Sequence, residues 1–146
     1  MTQRMELAAL LDRLAVDDLV SAYAAAVDSG DWEAYQRLFA PGGRADYRGA
    51  GGIAGPAAEA ATWLSEVMGI FPVRQHLIVN RVTRLEGEPP ETAMVRADYI
   101  NPMLSKRNGA TAPDFVAGGT YAFTAVRSGD GWALQEVVIR EIWRWA

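Results

Sequence analysis

His76 is the only histidine of the chain, and so the one side chain that ordinarily titrates near neutral pH. Such an imidazole can take and return a proton when a carboxylate on one ring nitrogen fixes its tautomer and supports its cation. Strand alternation also allows a plainer role, grouping His76 with Ile78 and Val82 as a satisfied core histidine. Asp28 falls in the last turn of an expected helix, where a carboxylate meets the unfavourable end of the helix dipole. A partner would explain its position. Tyr47, in a short expected strand, reads either as a site residue or as a core aromatic whose hydroxyl bonds to backbone, while Asp46 beside it points the other way and reads as structural.

Other chemistries lack their residues. With no cysteine there is no thiol nucleophile, disulfide framework or thiolate metal site. One histidine leaves only carboxylates as metal ligands, and these show no ligand spacing, so no metal is expected. The glycines at 118–119 and 49–52 are not set in a strand–loop–helix phosphate motif, and no serine elbow is present; no organic cofactor is expected. The formal charge of -4, with acids and bases interspersed and Lys106 the only lysine, argues against nucleic acid as a partner. Arg74, Arg81, Arg84 and Arg96 are expected to form solvated ladders with nearby glutamates rather than a phosphate site.

The elements that must position these residues follow from periodicity. Leucines 7, 10, 11 and 14, then Leu19, Val20, Tyr23 and Val27, recur at spacings of three and four and predict a long amphipathic helix ending at Gly30. Asp31 is the expected N-cap of a short second helix carrying Trp32, Tyr35, Leu38 and Phe39 and ending before Pro41. A short strand from Arg44 to Arg48 precedes the Gly49–Gly52 loop, and Pro56 opens a third helix with Trp63, Leu64 and Val67, ending near Gly69. Beyond Pro72 the pattern turns to strands at about 73–86, 92–101, 115–127 and 132–143, with turns at Gly87-Glu88-Pro89-Pro90 and Ser128-Gly129-Asp130-Gly131 and a polar stretch from Ser105 to Pro113.

Helices first and an antiparallel meander afterwards predict an α+β domain over residues 1–146: a cone-shaped, strongly curved, mainly antiparallel sheet with the N-terminal helices closing a pocket. Its length and its 50% hydrophobic content suffice for one core. The start lacks an apolar signal core and no run approaches a membrane span, which makes a cytoplasmic location the default and a membrane partner unexpected. The last strand is apolar on both sides, with Val137, Ile139, Trp143 and Trp145 on one and Leu134, Val138 and Ile142 on the other. This predicts a homo-oligomer, dimer or trimer. Tyr23, Trp63, Phe71, Tyr99, Met103 and Tyr121 are the candidate pocket walls, with plain core packing as their alternative.

The stretch from Tyr23 through Val27-Asp28-Ser29-Gly30-Asp31-Trp32, with Leu38-Phe39-Ala40-Pro41, Asp46-Tyr47-Arg48, Gln75-His76-Leu77-Ile78 and Gly131-Trp132, resembles the SnoaL-like proteins of the nuclear-transport-factor-2-like superfamily and the scytalone dehydratases within it. Asp28, Tyr47 and His76 match the dehydratases in kind and order. The resemblance implies His76 as acid/base, Asp28 as its orienting partner, and Tyr47 as the holder of a water that polarises a substrate carbonyl. Val27 replaces a second tyrosine of that pattern, Met103 a second histidine, and Tyr121 or a neighbour a substrate-binding asparagine, so scytalone itself is not the expected substrate. SnoaL-like cyclases and ketosteroid-isomerase-like enzymes use a carboxylate base instead.

Together these readings predict a cofactor-free dehydratase, isomerase or cyclase acting on a small apolar or aromatic oxygenated molecule. The rivals are a non-catalytic domain that binds such a ligand, and a structural subunit similar to the small subunits of ring-hydroxylating dioxygenases.

Overall fold

The periodic run at the start is one helix, α1 (Thr2–Ser29), in a computed structural model that describes residues 2–105 and 111–146. Lys106 and most of the polar stretch after Ser105 lie outside the described residues. Gly30, at φ 71°, ends α1 in a conformation that favours glycine. Asp31 then caps α2 (Trp32–Arg37), its carboxylate accepting the Ala34 N–H at 3.0 Å.

The amphipathic reading of α1 holds for its second half only. Val16, Leu19, Val20, Tyr23 and Val27 are buried, but Leu7, Leu10, Leu11 and Leu14 are more than half exposed. At about 3.6 residues per turn the two sets fall on roughly opposite sides of the helix, so the spacings run on while the face changes.

The remaining elements are β1 (Phe39–Gly49), β2 (Ala54–Pro56), α3 (Ala57–Met68), β3 (Val73–Arg74), β4 (Leu77–Gly87), β5 (Pro90–Leu104), β6 (Phe115–Ser128) and β7 (Gly131–Trp145). Strand order is β2-β1-β7-β6-β5-β3, with β4 also on β5. Every pair is antiparallel except β1 with β7, so the sheet is mixed, and it curls into a half-barrel against which α1 and α3 pack. Among the described residues no helix is long and apolar enough to cross a membrane.

Two register shifts correct the expected strand faces. The run at 73–86 is broken at Gln75 and His76, so His76 belongs to no strand. Further on, Asn80 takes φ 52° and the ladder with β5 slips between Val79 and Val82. Ile78 is therefore buried while Val82 is 68% exposed, and the alternation that grouped them ends at the bulge. In β7 the ladder slips opposite Thr124 and Ala125, which puts Leu134 and Val137 both in the core. Beyond Glu141, Ile142, Trp143 and Trp145 are exposed.

The core fills the concave side. From β5, Ala93, Val95, Ala97, Tyr99, Asn101 and Met103 alternate inward, and Tyr23 of α1 lies edge-on to Tyr121 and Phe123 of β6.

Candidate active site

Asp28 ends α1, and His76 fills the break between β3 and β4. The carboxylate takes the His76 backbone N–H on both oxygens, at 3.1 and 2.9 Å, and its Oδ1 stands 2.6 Å from ring Nδ1. The Gln75 N–H donates to the Pro102 carbonyl of β5, so the next N–H, that of His76, points away from β5 and is available to Asp28. Facing a carboxylate, Nδ1 is the donor in this contact, and Nε2 has no hydrogen-bond partner among the described residues. The imidazole is almost fully buried and the carboxylate side chain is 23% exposed.

The end of α1 is also tied from below by a cation. Arg74 donates Nε to the Val27 carbonyl at 2.9 Å and Nη1 to the Met68 and Phe71 carbonyls at 3.2 and 2.9 Å, so its charge sits where the carbonyl ends of α1 and α3 converge. It also attracts Asp28, offsetting the dipole that disfavours a carboxylate there. A Cβ on Gly30 would come within 3.2 Å of this guanidinium. Arg81 likewise reaches α1, donating to the carboxylate and carbonyl of Asp17. The expected ladder with glutamates describes Arg84, which pairs with Glu86, and not these two.

The Tyr47 side chain bonds neither to backbone nor to the dyad. Its hydroxyl lies 2.7 Å from those of Tyr23 and Tyr35, all three buried. Burial pushes the three phenols above their ordinary range, so they stay protonated. Three hydroxyls bring three protons to two contacts. The Tyr35 hydroxyl has that of Tyr47 as its only hydrogen-bond partner among the described residues, and its proton is used there. The remaining proton falls to Tyr23, Tyr47 or neighbouring Tyr121, each of which lines a cavity.

That cavity holds about 350 Å³ and is walled mainly by apolar and aromatic side chains. His76 and Tyr47 open onto it, as do all the expected wall residues: Tyr23, Trp63, Phe71, Tyr99, Met103 and Tyr121. Asp28 stands behind His76. Trp63 stacks on Tyr47 with ring centres 5.6 Å apart, and Gly52 has to be glycine because a Cβ would lie 2.5 Å from the Trp63 ring. Burial raises the Tyr99 phenol to about 12.

Three polar wall residues were missed in the sequence. Asn101 is 6% exposed, and period-two alternation with the chosen Tyr99 and Met103 would have found it. Glu141 and Arg144, paired at 2.7 Å, bring charge to the wall; the β7 bulges hid their side from a strict alternation. Among the described residues no cluster of three or more histidine, aspartate and glutamate side chains is arranged to hold a metal ion.

Comparison with known proteins agrees with this architecture. The profile of the SnoaL-like domain matches residues 8–138. An uncharacterized protein of Mycobacterium tuberculosis is 34% identical over 130 residues, covering 89% of this chain and 85% of its own. Similar solved structures include a scytalone dehydratase candidate from Novosphingobium aromaticivorans, with TM-score 0.79, 17% identity and 93% and 87% of the two chains covered. Another is a type 2 hexachlorocyclohexane dehydrochlorinase, LinA, with TM-score 0.78, 16% identity and 96% and 91% covered. At those identities the structural likeness bears on the fold alone. The chain belongs to the SnoaL-like family.

Proposed function

We propose that this SnoaL-like chain is a single-domain cytoplasmic enzyme that moves a proton on a small apolar, oxygenated molecule without a cofactor, in a dehydration, isomerisation or cyclisation. The observation that carries the reading is the His76–Asp28 contact at an aromatic-walled cavity that His76 lines, with ring Nε2 unpaired among the described residues. In this reading Nε2 takes a proton from carbon next to a carbonyl while Asp28 supports the imidazolium. The surplus phenolic proton of the tyrosine cluster stabilises the negative charge that gathers on the carbonyl oxygen. His76 then returns its proton, to a departing hydroxyl in a dehydration or to another carbon in an isomerisation. The names of the two solved neighbours, a dehydratase candidate and a dehydrochlorinase, favour elimination among these.

Incubating the protein in heavy water with a panel of aromatic and cyclic ketones, and following deuterium uptake and product by NMR, tests the reading. His76→Ala and Asp28→Asn should each lower the rate about 100-fold to 10,000-fold with the fold retained by circular dichroism, and the double variant should be scarcely worse than the worse single one. Full turnover in both single variants would overturn it.

Self-association belongs to the same proposal. Ile142, Trp143 and Trp145 are 64%, 45% and 61% exposed at the end of β7, a concentration of large apolar side chains that a second copy would cover. Sedimentation at micromolar concentration should give a dimer or trimer; a 15.9 kDa species alone would refute this part.

A further inference from the structure

Among the described residues, Asn101 Oδ1 is the only buried side-chain nitrogen or oxygen without a hydrogen-bond partner. The residue is 94% buried, being 6% exposed, and it lines the cavity. Its Nδ2 donates to Met103 Sδ at 3.4 Å. That contact orients the amide. A thioether accepts an N–H but has no proton to give a carbonyl oxygen, so the nitrogen belongs on the sulfur side and the oxygen is left for something else. A leucine or methionine would fill this wall without the cost of an unpaired amide carbonyl.

Register puts this acceptor beside the dyad. Arg74 pairs with Met103, the Gln75 N–H donates to the Pro102 carbonyl at 3.1 Å, and Leu77 pairs with Ile100, so Asn101 stands across from His76. Both line the cavity. Adjacent strands lie roughly 5 Å apart, which makes Asn101 and His76 neighbours on one wall of the cavity.

We infer that the ligand of this cavity carries a hydroxyl, and that Asn101 Oδ1 accepts its proton. The site would thereby select an alcohol or enol over the corresponding ether or hydrocarbon. Asn101 is then the residue that reads the oxygen function, while the aromatic walls read only shape. A site with a buried acceptor penalises the analogue that lacks the donor, because that complex leaves the acceptor unpaired. The inference rests on the reading of the cavity as a substrate site, but needs no turnover.

The test uses matched probes, 1-tetralol and its methyl ether, titrated into the full chain and followed by the NMR signals of His76 and Asn101. The alcohol should bind at least about 10-fold more tightly than the ether, and Asn101→Leu should abolish that preference while keeping or improving affinity for the ether. In the free protein, Asn101→Leu should melt at the same or a higher temperature, since it removes an unpaired polar atom. Equal binding of the two probes to the wild type, no binding of either, or a clear fall in melting temperature in Asn101→Leu would each overturn the inference. Deuterium uptake that still depends on His76 would leave the catalytic reading standing in those cases; loss of that dependence with the alcohol preference intact would remove catalysis and keep a hydroxyl-reading pocket.

Discussion

Between Val16 and Val27, α1 is fastened to the sheet by apolar burial, whereas between Met5 and Arg13 it is fastened by ions. In the second half Val16, Val20, Tyr23 and Val27 are all but inaccessible. In the first half the leucines face outward, and Asp12 holds the helix, taking two hydrogen bonds from Arg127 at 2.6 and 3.0 Å and one from Trp132 Nε1 at 3.1 Å. Arg13 adds a contact to the Thr83 carbonyl at 2.6 Å. Each half borders a concavity. The groove beside the first half, about 540 Å³ and lined by Met5, Leu11, Pro89 and Pro90 among others, is larger than the cavity beside the second. Of the charged groups that line it, Asp12 and Arg127 are satisfied by one another, and Glu88 and Asp130 border it as well. The smaller cavity is lined by His76, by the linked tyrosines Tyr23 and Tyr47, and by Asn101, whose Oδ1 has no hydrogen-bond partner among the described residues. A histidine paired with a carboxylate at an aromatic wall, rather than volume, marks the smaller cavity as the candidate chemical site.

The comparison breaks first on stability. Val20→Ala removes buried methyl groups and should cost about 2 kcal/mol in urea unfolding. Leu10→Ala, on the exposed stripe, should stay within about 0.5 kcal/mol of the wild type. A Leu10→Ala cost as large as that of Val20→Ala would mean that the stripe is covered in solution, and the ionic half would have to be redrawn as a second apolar interface.

The same contrast explains what the sequence disclosed and what it hid. Spacing of three and four identified α1 to its end, but spacing alone does not say which side of a helix meets the sheet. Leu7 to Leu14 therefore read as continuous with Leu19 to Val27. Capping chemistry was legible at Asp31, because a carboxylate before a helix satisfies a free N–H wherever the helix packs. The pairing of Asp28 with His76 was foreshadowed by residue type and family resemblance. The break in the strand at Gln75 and His76 was not, since neither residue carries a turn signal. The β4 bulge moved Val82 off the face of Ile78, and the β7 bulge brought Leu134 onto the face of Val137 and Ile139, against strict alternation. Asn101 was legible and overlooked. Its odd-numbered neighbours were chosen as pocket walls, and the same alternation pointed to it.

The smallest expected effect concerns the ionic half under acid. Hydrogen bonds from Arg127, with a further one from the Trp132 indole, hold the Asp12 carboxyl below its ordinary range, outweighing the burial that opposes them. A carboxylate whose folded value is depressed stabilises the fold fully above its unfolded value, about 3.9, and loses that contribution as pH falls through the lower folded value. Wild type should therefore exceed Asp12→Asn in urea midpoint by a constant margin from pH 7 to 5, and the margin should close below about pH 4. The effect should be smaller than that of Val20→Ala, because the pair lies near the surface and part of its attraction is screened. Hydrogen exchange should locate it: on acidification the amides around Met5–Arg13 should lose protection in the wild type while those of Val20–Val27 keep theirs, and in Asp12→Asn the first segment should exchange quickly at every pH. If the two proteins followed parallel pH curves, or if both halves of α1 lost protection together, Asp12 would not be what fastens the first half, and the helix would have to be treated as a single cooperative unit.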